Sequence, residues 1–538
     1  MPRRFHVRGG LVLCLLTELL APRATAAEPI AEIPGALLIV GGGPMPDAVR
    51  DRFVELAGGE RARLVVIPTA GDGDFAGDAG ASVLSPWKAL KLESVELLHT
   101  RDRDEANAPE FVKALGEATG VWLGGGLQKR LADAYRGTAV ERELRALLRR
   151  GGVIGGTSAG AAIMSDLMIE SGNPDARTGP GLGLLPGFAV DQHFLKRDRV
   201  NRSLRVLEQN PGRVGLGIDE ATAVEVRGRR LRVLGDSYVL VCLAPGNRYG
   251  VSIRALKAGD TADLFQLRRA ALARAGEPFP AQEPRAPVVE KGTLILGGGG
   301  GMPAEVWKRF VELAGGPEAP VVVVPTALGD NPPAEPGEAR VLKRAGAKNV
   351  RVFHTTDRAK ANDPGFTKVL RDAKGIWFSG GRQWRFVDAY EGTLAEELFH
   401  EVLKRGGVIA GSSAGASIQS EYMPRGHPLG NTVMMAEGYE RGFGFLPGCA
   451  VDQHFFARKR TADMTALVER YPMLLGIGID EGTVLVVRKS VAEVVGRGKV
   501  AVYDRRKPLP EGGPDYEVLL PGERYDLKER RKVGEAGR

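Results

Sequence analysis

The chain of 538 residues contains one long pattern twice. The segment GALLIVGGGPMPDAVRDRFVELAGG at residue 35 returns as GTLILGGGGGMPAEVWKRFVELAGG at residue 292, and LPGFAVDQHF at 185 returns as LPGCAVDQHF at 446. Ser158 recurs 255 positions later as Ser413, whereas His193 recurs 261 positions later as His454. A constant register that shifts once, over a period far too long for a solenoid, indicates a domain duplication with a short insertion in the second copy.

Each copy has the pattern of an α/β domain. Short aliphatic runs such as ALLIV, RLVVIP and GVIG alternate with amphipathic stretches such as VRDRFVELAGG. This alternation predicts a parallel sheet that is covered on both faces and that binds ligands at the carboxyl ends of its strands. The segments after residues 220 and 481 have strand patterns and predict an antiparallel β-ribbon at the end of each domain.

The N-terminus predicts export. Three arginines at positions 3, 4 and 8 precede the apolar run LVLCLLTELLA, and Ala-Thr-Ala follows at 24–26. This is the pattern of a secretory signal peptide, with an uncleaved anchor as the alternative, so we expect a secreted or periplasmic protein. The predicted boundaries are a signal peptide at 1–26, a first domain at 27–274, a solvated Pro-rich linker at 275–291 and a second domain at 292–538.

Charge and cysteine content limit the partners. The formal net charge is +8, from 74 Lys and Arg against 66 Asp and Glu, and the excess is spread along the chain. We therefore expect no nucleic-acid partner, and no membrane partner after signal cleavage. Cys242 and Cys449 each lie in an apolar run, where buried thiols are expected rather than a disulfide framework.

A serine occupies the same short motif in both copies, as GTSAG at 156–160 and GSSAG at 411–415, each directly after an apolar run. In the GxSxG nucleophile elbow a strand turns sharply into a helix, so that the serine hydroxyl is exposed and the next backbone N–H faces a developing oxyanion. A single such pentapeptide would fit a structural turn as well as it fits a nucleophile. Two copies in matched contexts favour a nucleophile.

A nucleophilic serine needs a base. His193 and His454 both stand in the sequence Val-Asp-Gln-His-Phe, one in each copy. His99 and His354 also match each other, and we interpret them as structural residues or parts of a cleft wall. The chain has no HExxH motif, no close histidine pair and no cysteine cluster, so neither a metal nor another cofactor is expected.

The base in turn needs an acid. Glu220 and Glu481 each lie 27 residues after the histidine, so this spacing is unchanged by the insertion. Asp219 and Asp480 directly precede them, and the sequence does not choose between the two acids. The chain order of serine, histidine and acid differs from the usual order in α/β-hydrolases.

The motifs VWLGGGLQ, GGTSAGAAIMSD, GLGLLPGFAVDQHFLKRDRVNRSL and GIDEAT, taken in this order, resemble the cyanophycinase family. The resemblance spans 35–260 and 292–515. It implies a serine peptidase with a glutamine-amidotransferase-like (flavodoxin-like) α/β fold in each copy. Members of that family cleave cyanophycin, a poly-aspartate backbone that carries arginine on its side chains, into β-aspartyl-arginine dipeptides.

The resemblance also implies roles for individual residues. In the first copy it implies the nucleophile Ser158, the base His193, its partner Glu220, the oxyanion residues Gly126 and Ala159, and the substrate-binding residues Gln128, Asp191, Gln192, Arg197, Arg199 and Arg202. In the second copy the matching residues are Ser413, His454 and Glu481, then Gly381 and Ala414, then Gln383, Asp452, Gln453, Arg458 and Arg460. Arginine binds carboxylates in a bidentate fork, and we interpret Asp191 and the amide side chains as receivers of the substrate's guanidinium.

The second copy departs from the family pattern. Asp463 stands where the first copy has Arg202, and the loop between serine and histidine is longer. Leu127 and Arg382 replace the aspartate that the family usually has in the glycine turn. We therefore expect intact chemistry in both halves but a cyanophycin pocket mainly in the first.

These observations predict a secreted serine peptidase that cleaves cyanophycin through an acyl-enzyme. Two alternatives stay open at this point. One is a secreted aspartyl or isoaspartyl dipeptidase with the same triad, and the other is a binding protein in which one or both sites are inactive. The expected partner is a peptide or polymer substrate, and we expect the two copies to form an intramolecular pseudo-dimer that mimics a homodimer of the family.

Overall fold

A computed structural model describes residues 32–508 and 512–534. The predicted signal peptide at 1–26 lies outside the described residues. In the part of the chain that is described, no helix is long and apolar enough to cross a membrane.

From residue 32 onward, the first copy contains fourteen strands and eight α-helices. The strands are β1 (Ile33–Val40), β2 (Arg63–Ile67), β3 (Ser94–Leu97), β4 (Gly120–Leu123), β5 (Val153–Thr157), β6 (Leu167–Ser171), β7 (Arg177–Pro180), β8 (Phe188–Gln192), β9 (Val214–Ile218), β10 (Thr222–Gly228), β11 (Arg230–Gly235), β12 (Val239–Leu243), β13 (Ser252–Leu256) and β14 (Thr261–Asp263). The helices are α1 (Asp47–Leu56), α2 (Asp78–Lys88), α3 (Pro109–Glu117), α4 (Gln128–Tyr135), α5 (Ala139–Arg149), α6 (Ala159–Ala162), α7 (Val200–Gln209) and α8 (Leu264–Ala275).

The second copy repeats most of this order. Its strands are β15 (Val289–Gly297), β16 (Val321–Val324), β17 (Val350–Val352), β18 (Gly375–Phe378), β19 (Val408–Ser412), β20 (Ser420–Tyr422), β21 (Leu446–Gln453), β22 (Leu475–Ile479), β23 (Thr483–Lys489), β24 (Val491–Gly496), β25 (Val500–Asp504), β26 (Glu517–Leu519), β27 (Arg524–Asp526) and β28 (Arg531–Lys532). Its helices are α9 (Ala304–Leu313), α10 (Gly337–Arg344), α11 (Arg358–Ala361), α12 (Lys368–Arg371), α13 (Trp384–Tyr390), α14 (Leu394–Lys404), α15 (Ala414–Ser417) and α16 (Thr461–Arg470).

The central sheet of each copy has a parallel core. In the first copy the strand order is β14-β11-β10-β1-β5-β4-β2-β3, and the five strands from β1 to β3 in this order are parallel. Strands such as β2 (RLVVI) and β16 (VVVV) are almost wholly apolar because helices cover both faces of the sheet. The predicted α/β class and parallel sheet are confirmed, and β10 and β11 form the expected antiparallel ribbon.

A second, smaller sheet was not expected from the sequence. In the first copy it has the order β13-β12-β9-β8, with β8 and β9 parallel, and in the second copy the order is β20-β21-β22-β25-β26. Strand β8 ends immediately before His193, and β9 ends two residues before Glu220. The second sheet therefore carries the histidine and the acid toward the serine, which stands on the central sheet.

The contacts between the two copies include those of helix α8 of the first copy with residues 423–445 of the second, here called the inserted loop. Arg269 of α8 donates to the carbonyl of Gly438 at 2.7 Å, and Arg274 forms an ion pair with Glu437. Between the copies, the segment after α8 is not wholly solvated. Phe279 in that segment stacks on Tyr422 with the ring centroids 6.0 Å apart.

Cys242 and Cys449 are buried free thiols, in agreement with the sequence interpretation. Burial raises the pKa of Cys242 to about 12, so this thiol stays protonated at neutral pH.

Candidate active site

The candidate nucleophile stands at a sharp turn between a strand and a helix. Strand β5 ends at Thr157, Ser158 has φ 53° and ψ −109°, and α6 begins at Ala159. A side chain on Gly156 would place its Cβ 2.4 Å from the carbonyl oxygen of Gly160, so this close approach requires glycine. The GxSxG pattern therefore fixes a strained backbone at the serine.

Ser158, His193 and Glu220 form one chain of hydrogen bonds. Ser158 Oγ lies 2.9 Å from His193 Nε2, and His193 Nδ1 lies 2.6 Å from Glu220 Oε1. An ionised carboxylate only accepts, so Nδ1 carries the proton and donates it to Glu220. Nε2 is then free to accept from the serine hydroxyl, as a general base requires.

The second copy repeats this geometry. His454 Nε2 lies 2.9 Å from Ser413 Oγ, and His454 Nδ1 lies 2.6 Å from Glu481 Oε1. Ser413 has φ 56° and ψ −115°, nearly the values of Ser158. Both copies therefore bring the three sequence-predicted residues together.

The competing acid has another role in the structure. Asp219 Oδ1 accepts from the backbone N–H groups of Leu195 and Lys196, at 3.1 and 2.9 Å, and its Oδ2 accepts from Ser237 Oγ at 2.7 Å. Asp219 therefore holds the turn that follows His193, and it does not contact the imidazole. In the second copy Asp480 likewise accepts from a backbone N–H after the histidine.

The surroundings of His193 and His454 favour the neutral form of the imidazole at neutral pH. Partial burial lowers the pKa of His193 and of His454, and the hydrogen bond from each ring to its glutamate opposes that effect without outweighing it. A neutral imidazole with its proton on Nδ1 is the form that can take a proton from serine.

Glycines at the end of the first strand of each copy also shape the site, and sequence reasoning missed them. A Cβ on Gly42, which has φ 107°, would lie 2.4 Å from His193 Cε1. A Cβ on Gly299, which has φ 99°, would lie 2.2 Å from His454 Cε1. The signal was the glycine run GGG that recurs after β1 and β15, because only glycine leaves room for the imidazole ring there.

The proposed oxyanion residues lie beside the serine. Gly126 lines the same cavity as Ser158 and has φ 138°, and its counterpart Gly381 has φ 134°. Ala159 and Ala414 are the first residues of α6 and α15, where backbone N–H groups have no acceptor within the helix. These N–H groups are thus available to an oxyanion.

A cavity of about 510 Å³ opens from Ser158. Its lining consists of the glycine turn, the end of β6 with the residues after it, and the segment around the histidine: Gly126, Leu127, Gln128, Ser158, Glu170, Ser171, Gly172, Asn173, Gln192, Arg197, Arg199 and Arg202. The cavity therefore gathers all the sequence-predicted substrate residues of the first copy except Asp191. Arg197 and its counterpart Arg458 are exposed.

The interpretation of Asp191 as a receiver of the substrate's guanidinium is wrong. Asp191 and its counterpart Asp452 are both 0% exposed, and their carboxylates are occupied by the protein's own guanidinium groups. Arg199 and Arg460 reach these carboxylates and also donate to the backbone carbonyls of Gln192 and Gln453, at 2.7 and 2.6 Å. Burial, which the sequence does not display, decides the role of these aspartates.

The two glutamines of the glycine turns hold backbone. Gln128 Nε2 donates to the carbonyls of Ile169 and Glu170, at 2.6 and 3.0 Å. Gln383 Nε2 donates to the carbonyl of Pro424 at 2.7 Å. Each amide therefore fixes the chain that follows the nucleophile helix.

The other matched histidines contact threonine hydroxyl groups. His99 Nδ1 is 2.8 Å from Thr69 Oγ1, and His354 Nδ1 is 3.0 Å from Thr326 Oγ1. These contacts agree with a structural role. Within residues 32–508 and 512–534, no group of three His, Cys, Asp or Glu side chains is arranged to hold a metal ion.

The chain is similar to known peptidases. The model of peptidase family S51 matches residues 37–234 and 293–495. A cyanophycinase of Nostoc sp. is 34% identical over 240 residues, which is 42% of this chain and 76% of that protein. A cyanophycinase of Geminocystis herdmanii is 34% identical over 203 residues, which is 36% of this chain and 74% of that protein.

A solved peptidase structure from an acI-B1 Actinobacterium is 24% identical, with a TM-score of 0.37, and the match covers 43% of this chain and 96% of that one. The two regions that match the S51 model together make up about three quarters of the sequence, and each contains one complete set of serine, histidine and glutamate. The chain is therefore a serine-type peptidase and belongs to peptidase family S51, whose domain it contains twice.

Proposed function

We propose that the protein is an exported cyanophycinase that hydrolyses cyanophycin to β-aspartyl-arginine dipeptides. The observation that carries this proposal is the hydrogen-bonded set of Ser158, His193 and Glu220 at an arginine-lined cavity. The relatives named cyanophycinase, at 34% identity, support the choice of substrate.

The proposed reaction is acyl transfer through two tetrahedral intermediates. Ser158 Oγ attacks the peptide carbonyl while His193 Nε2 takes the hydroxyl proton, and Glu220 stabilises the imidazolium that results. The intermediate collapses to an acyl-enzyme when the carbon–nitrogen bond breaks and His193 returns the proton to the leaving amine. A water molecule, deprotonated by His193, then releases the acid and restores the serine.

Backbone N–H groups face the charge that forms on the carbonyl oxygen. Gly126 and Ala159 supply these groups in the first copy, and Gly381 and Ala414 supply them in the second. Donors that the fold already holds in place need no reorganisation during the reaction, so their contribution is large.

Arg197 is the candidate for binding a substrate carboxylate in the first copy. It lines the cavity and is exposed, so its guanidinium is accessible to a ligand, unlike the buried Arg202. A guanidinium binds a carboxylate through two parallel hydrogen bonds, which suits a polymer with free carboxylates. Arg458 is the corresponding exposed cation of the second copy.

The deciding experiment measures dipeptide release from insoluble cyanophycin by the purified full chain. Ser158→Ala and Ser413→Ala should each leave partial activity if both sites work. The double variant should lose about a million-fold in rate, as expected when a triad serine is removed.

Other outcomes separate the alternatives. Cleavage of free aspartyl or isoaspartyl dipeptides without cleavage of the polymer would favour the dipeptidase. Binding of the polymer with no hydrolysis would favour the binding protein, and full activity in the double variant would rule out serine catalysis. A single substitution that abolishes all turnover would identify the only active copy.

Export and pairing of the two copies belong to the same proposal. The predicted signal peptide at 1–26 supports export, and N-terminal sequencing of the protein from the periplasm and the culture medium would test it. The contacts of α8 with the inserted loop support a single functional unit made of both copies.

A further inference from the structure

An acidic and a basic residue exchange places between the two copies. The matched amide contacts of Gln128 and Gln383 align Ile169 with Pro424, so Glu170 of the first copy corresponds to Arg425 of the second. On the helix after the histidine, Arg202 of α7 corresponds to Asp463 of α16, as the sequence indicates. One position thus changes from acid to base, and the other changes from base to acid.

In the first copy the buried carboxylate is paired from the helix. Arg202 Nε donates to Asp191 Oδ2 at 3.0 Å, and Arg202 Nη2 contacts Asp191 Oδ1. Arg202 Nη1 donates to the carbonyl of Gly172 at 2.8 Å. Every nitrogen of this guanidinium is therefore engaged within the protein, and the side chain is buried.

In the second copy the same carboxylate is paired from the inserted loop. Arg425 Nε lies 3.1 and 3.0 Å from the two carboxylate oxygens of Asp452. Arg425 Nη2 donates to Asp463 Oδ2 at 2.6 Å, and its Nη1 donates to the carbonyl of Asn431 at 3.1 Å. The acid on helix α16 thus completes the coordination of a guanidinium that comes from elsewhere in the chain.

Each copy needs an arginine at this place because the carboxylate of Asp191 or Asp452 is buried. Burial raises the pKa of Asp191 and of Asp452, and the neighbouring guanidinium groups act against that rise. An unpaired charge in this position is strongly unfavourable. Helix α16 carries Asp463 where α7 carries Arg202, and the second guanidinium beside Asp452 comes from the inserted loop.

The carboxylates stand next to the catalytic histidines. Asp191 precedes Gln192 and His193 at the end of β8, and Asp452 precedes Gln453 and His454 at the end of β21. Loss of this ion pair would therefore shift the backbone that holds the imidazole.

We propose that Arg202 and Arg425 are equivalent positioning residues, each of which pairs the buried carboxylate beside the catalytic histidine, and that neither is a ligand of the substrate. The first copy has Glu170 and Arg202, and the second copy has Arg425 and Asp463 at the matching positions. Each copy thus keeps one arginine beside the buried carboxylate, so both triads stay able to react. This inference rests on the proposed triad but not on the identity of the substrate.

The test moves the cation of the second copy back to the helix. The caps of α7 and α16 have similar backbone angles, with φ −98° at Arg199 and −92° at Arg460, so residue 463 is placed as residue 202 is. The parent carries Ser158→Ala, which silences the first site. On this parent, Arg425→Gly is compared with the double change Arg425→Gly and Asp463→Arg. Glycine tolerates the φ of 60° at residue 425 without strain.

The main readout is the rate at which an alkyl fluorophosphonate labels Ser413, which needs a working triad but no polymer. Arg425→Gly should lower this rate at least about ten-fold and lower the Tm by roughly 5 °C, because it leaves a buried charge without its main partner. The double variant should recover both values to within about two-fold and about 2 °C of the parent.

The matched control is Lys459→Gly, which removes an exposed cation at another position with positive φ, 53°. It should leave labelling and Tm near the parent values. If Arg425→Gly behaved like this control and only raised the KM for dipeptide release, Arg425 would be a substrate ligand and the proposal would be refuted. The proposal also fails if the double variant regains Tm but not the labelling rate.

A parent that does not label Ser413 at all would contradict the proposed mechanism in the second copy. The Tm of the single and double variants would still decide whether the helix cation replaces the loop cation. Failure of the proposed function and failure of the ion-pair exchange are thus distinguishable.

Discussion

Glu220 offers the sharpest test of the triad. We expect Glu220→Gln, made in a chain that already carries Ser413→Ala, to keep the fold and to lower kcat about a thousand-fold. The substitution replaces a carboxylate that accepts the Nδ1 proton of His193 at 2.6 Å with an amide that can donate to the same atom. A donating amide favours the tautomer with its proton on Nε2, which cannot take the proton of Ser158.

The expected loss of kcat follows from the exposed fractions of the two glutamate side chains. Loss of a buried triad acid costs about ten-thousand-fold in kcat. The side chain of Glu220 is 27% exposed and that of Glu481 is 44% exposed, so water can replace part of their effect on the imidazolium. We therefore expect about a thousand-fold loss for Glu220→Gln, equivalent to about 4 kcal/mol, and a smaller loss for Glu481→Gln in a Ser158→Ala chain.

The assay is dipeptide release from cyanophycin together with fluorophosphonate labelling of the remaining serine. Asp219→Asn is the matched control, since it removes one neighbouring charge but can keep an acceptor for the backbone N–H groups of Leu195 and Lys196. It should cost less than about ten-fold in kcat and roughly 1 kcal/mol in the free energy of unfolding. If Asp219→Asn proves more damaging than Glu220→Gln, the assignment of the acid is wrong.

Three further predictions concern pH, the glycine run and the contact between the copies. Because burial lowers the pKa of His193 and the neutral ring is the base, kcat/KM in a Ser413→Ala chain should rise through a pKa below 6.5 and be level at pH 7 and above; a rising limb centred above 7 would contradict this. Gly42→Ala in the same background should lower labelling of the serine at least about a hundred-fold, because its Cβ would meet the imidazole, whereas Gly59→Ala, also at positive φ but in open space, should leave labelling unchanged. Glu437→Gln should lower the free energy of unfolding by about 3 kcal/mol, measured by denaturant titration, because it leaves the buried Arg274 without its carboxylate; an unchanged midpoint would show that the ion pair does not stabilise the protein.

Repetition made the fold, the serine and the histidine of the triad accessible from sequence. The turn at GxSxG depends on local backbone geometry, which short motifs encode. The histidine and the acid were found because their spacing of 27 residues recurs in both copies. The choice between Asp219 and Glu220 was not accessible, because the two are adjacent and only the register at the end of β9 decides which carboxylate meets the imidazole. The second sheet was also missed. Its first strand, β8, ends in the polar residues of VDQ, which sequence patterns assign to a site and not to a buried strand.

The pairing of Arg425 with Asp452 and Asp463 joins residues that are distant in the sequence, and it could not be predicted from the sequence. The replacement of Arg202 by Asp463 looked like the loss of a binding residue. The structure shows its counterpart in Arg425, which lies 38 residues away on the inserted loop and is brought to Asp452 only by tertiary packing. Nothing local to either residue signals this pairing. The buried state of Asp191 was hidden for the same reason.

The contact between helix α8 and the inserted loop joins two unlike surfaces of the same chain. Helix α8 follows β14, whereas the corresponding strand β27 is followed by the short strand β28, and the inserted loop has no counterpart of its length in the first copy. Among residues 32–508 and 512–534, helix α8 and the inserted loop are therefore unlike surfaces, and each contacts the other. A head-to-tail contact between separate subunits would leave one of each surface free at the ends and would permit open-ended growth. Within one chain the two unlike surfaces meet without a symmetry axis, so each copy can diverge without the constraint of matching itself across such an axis.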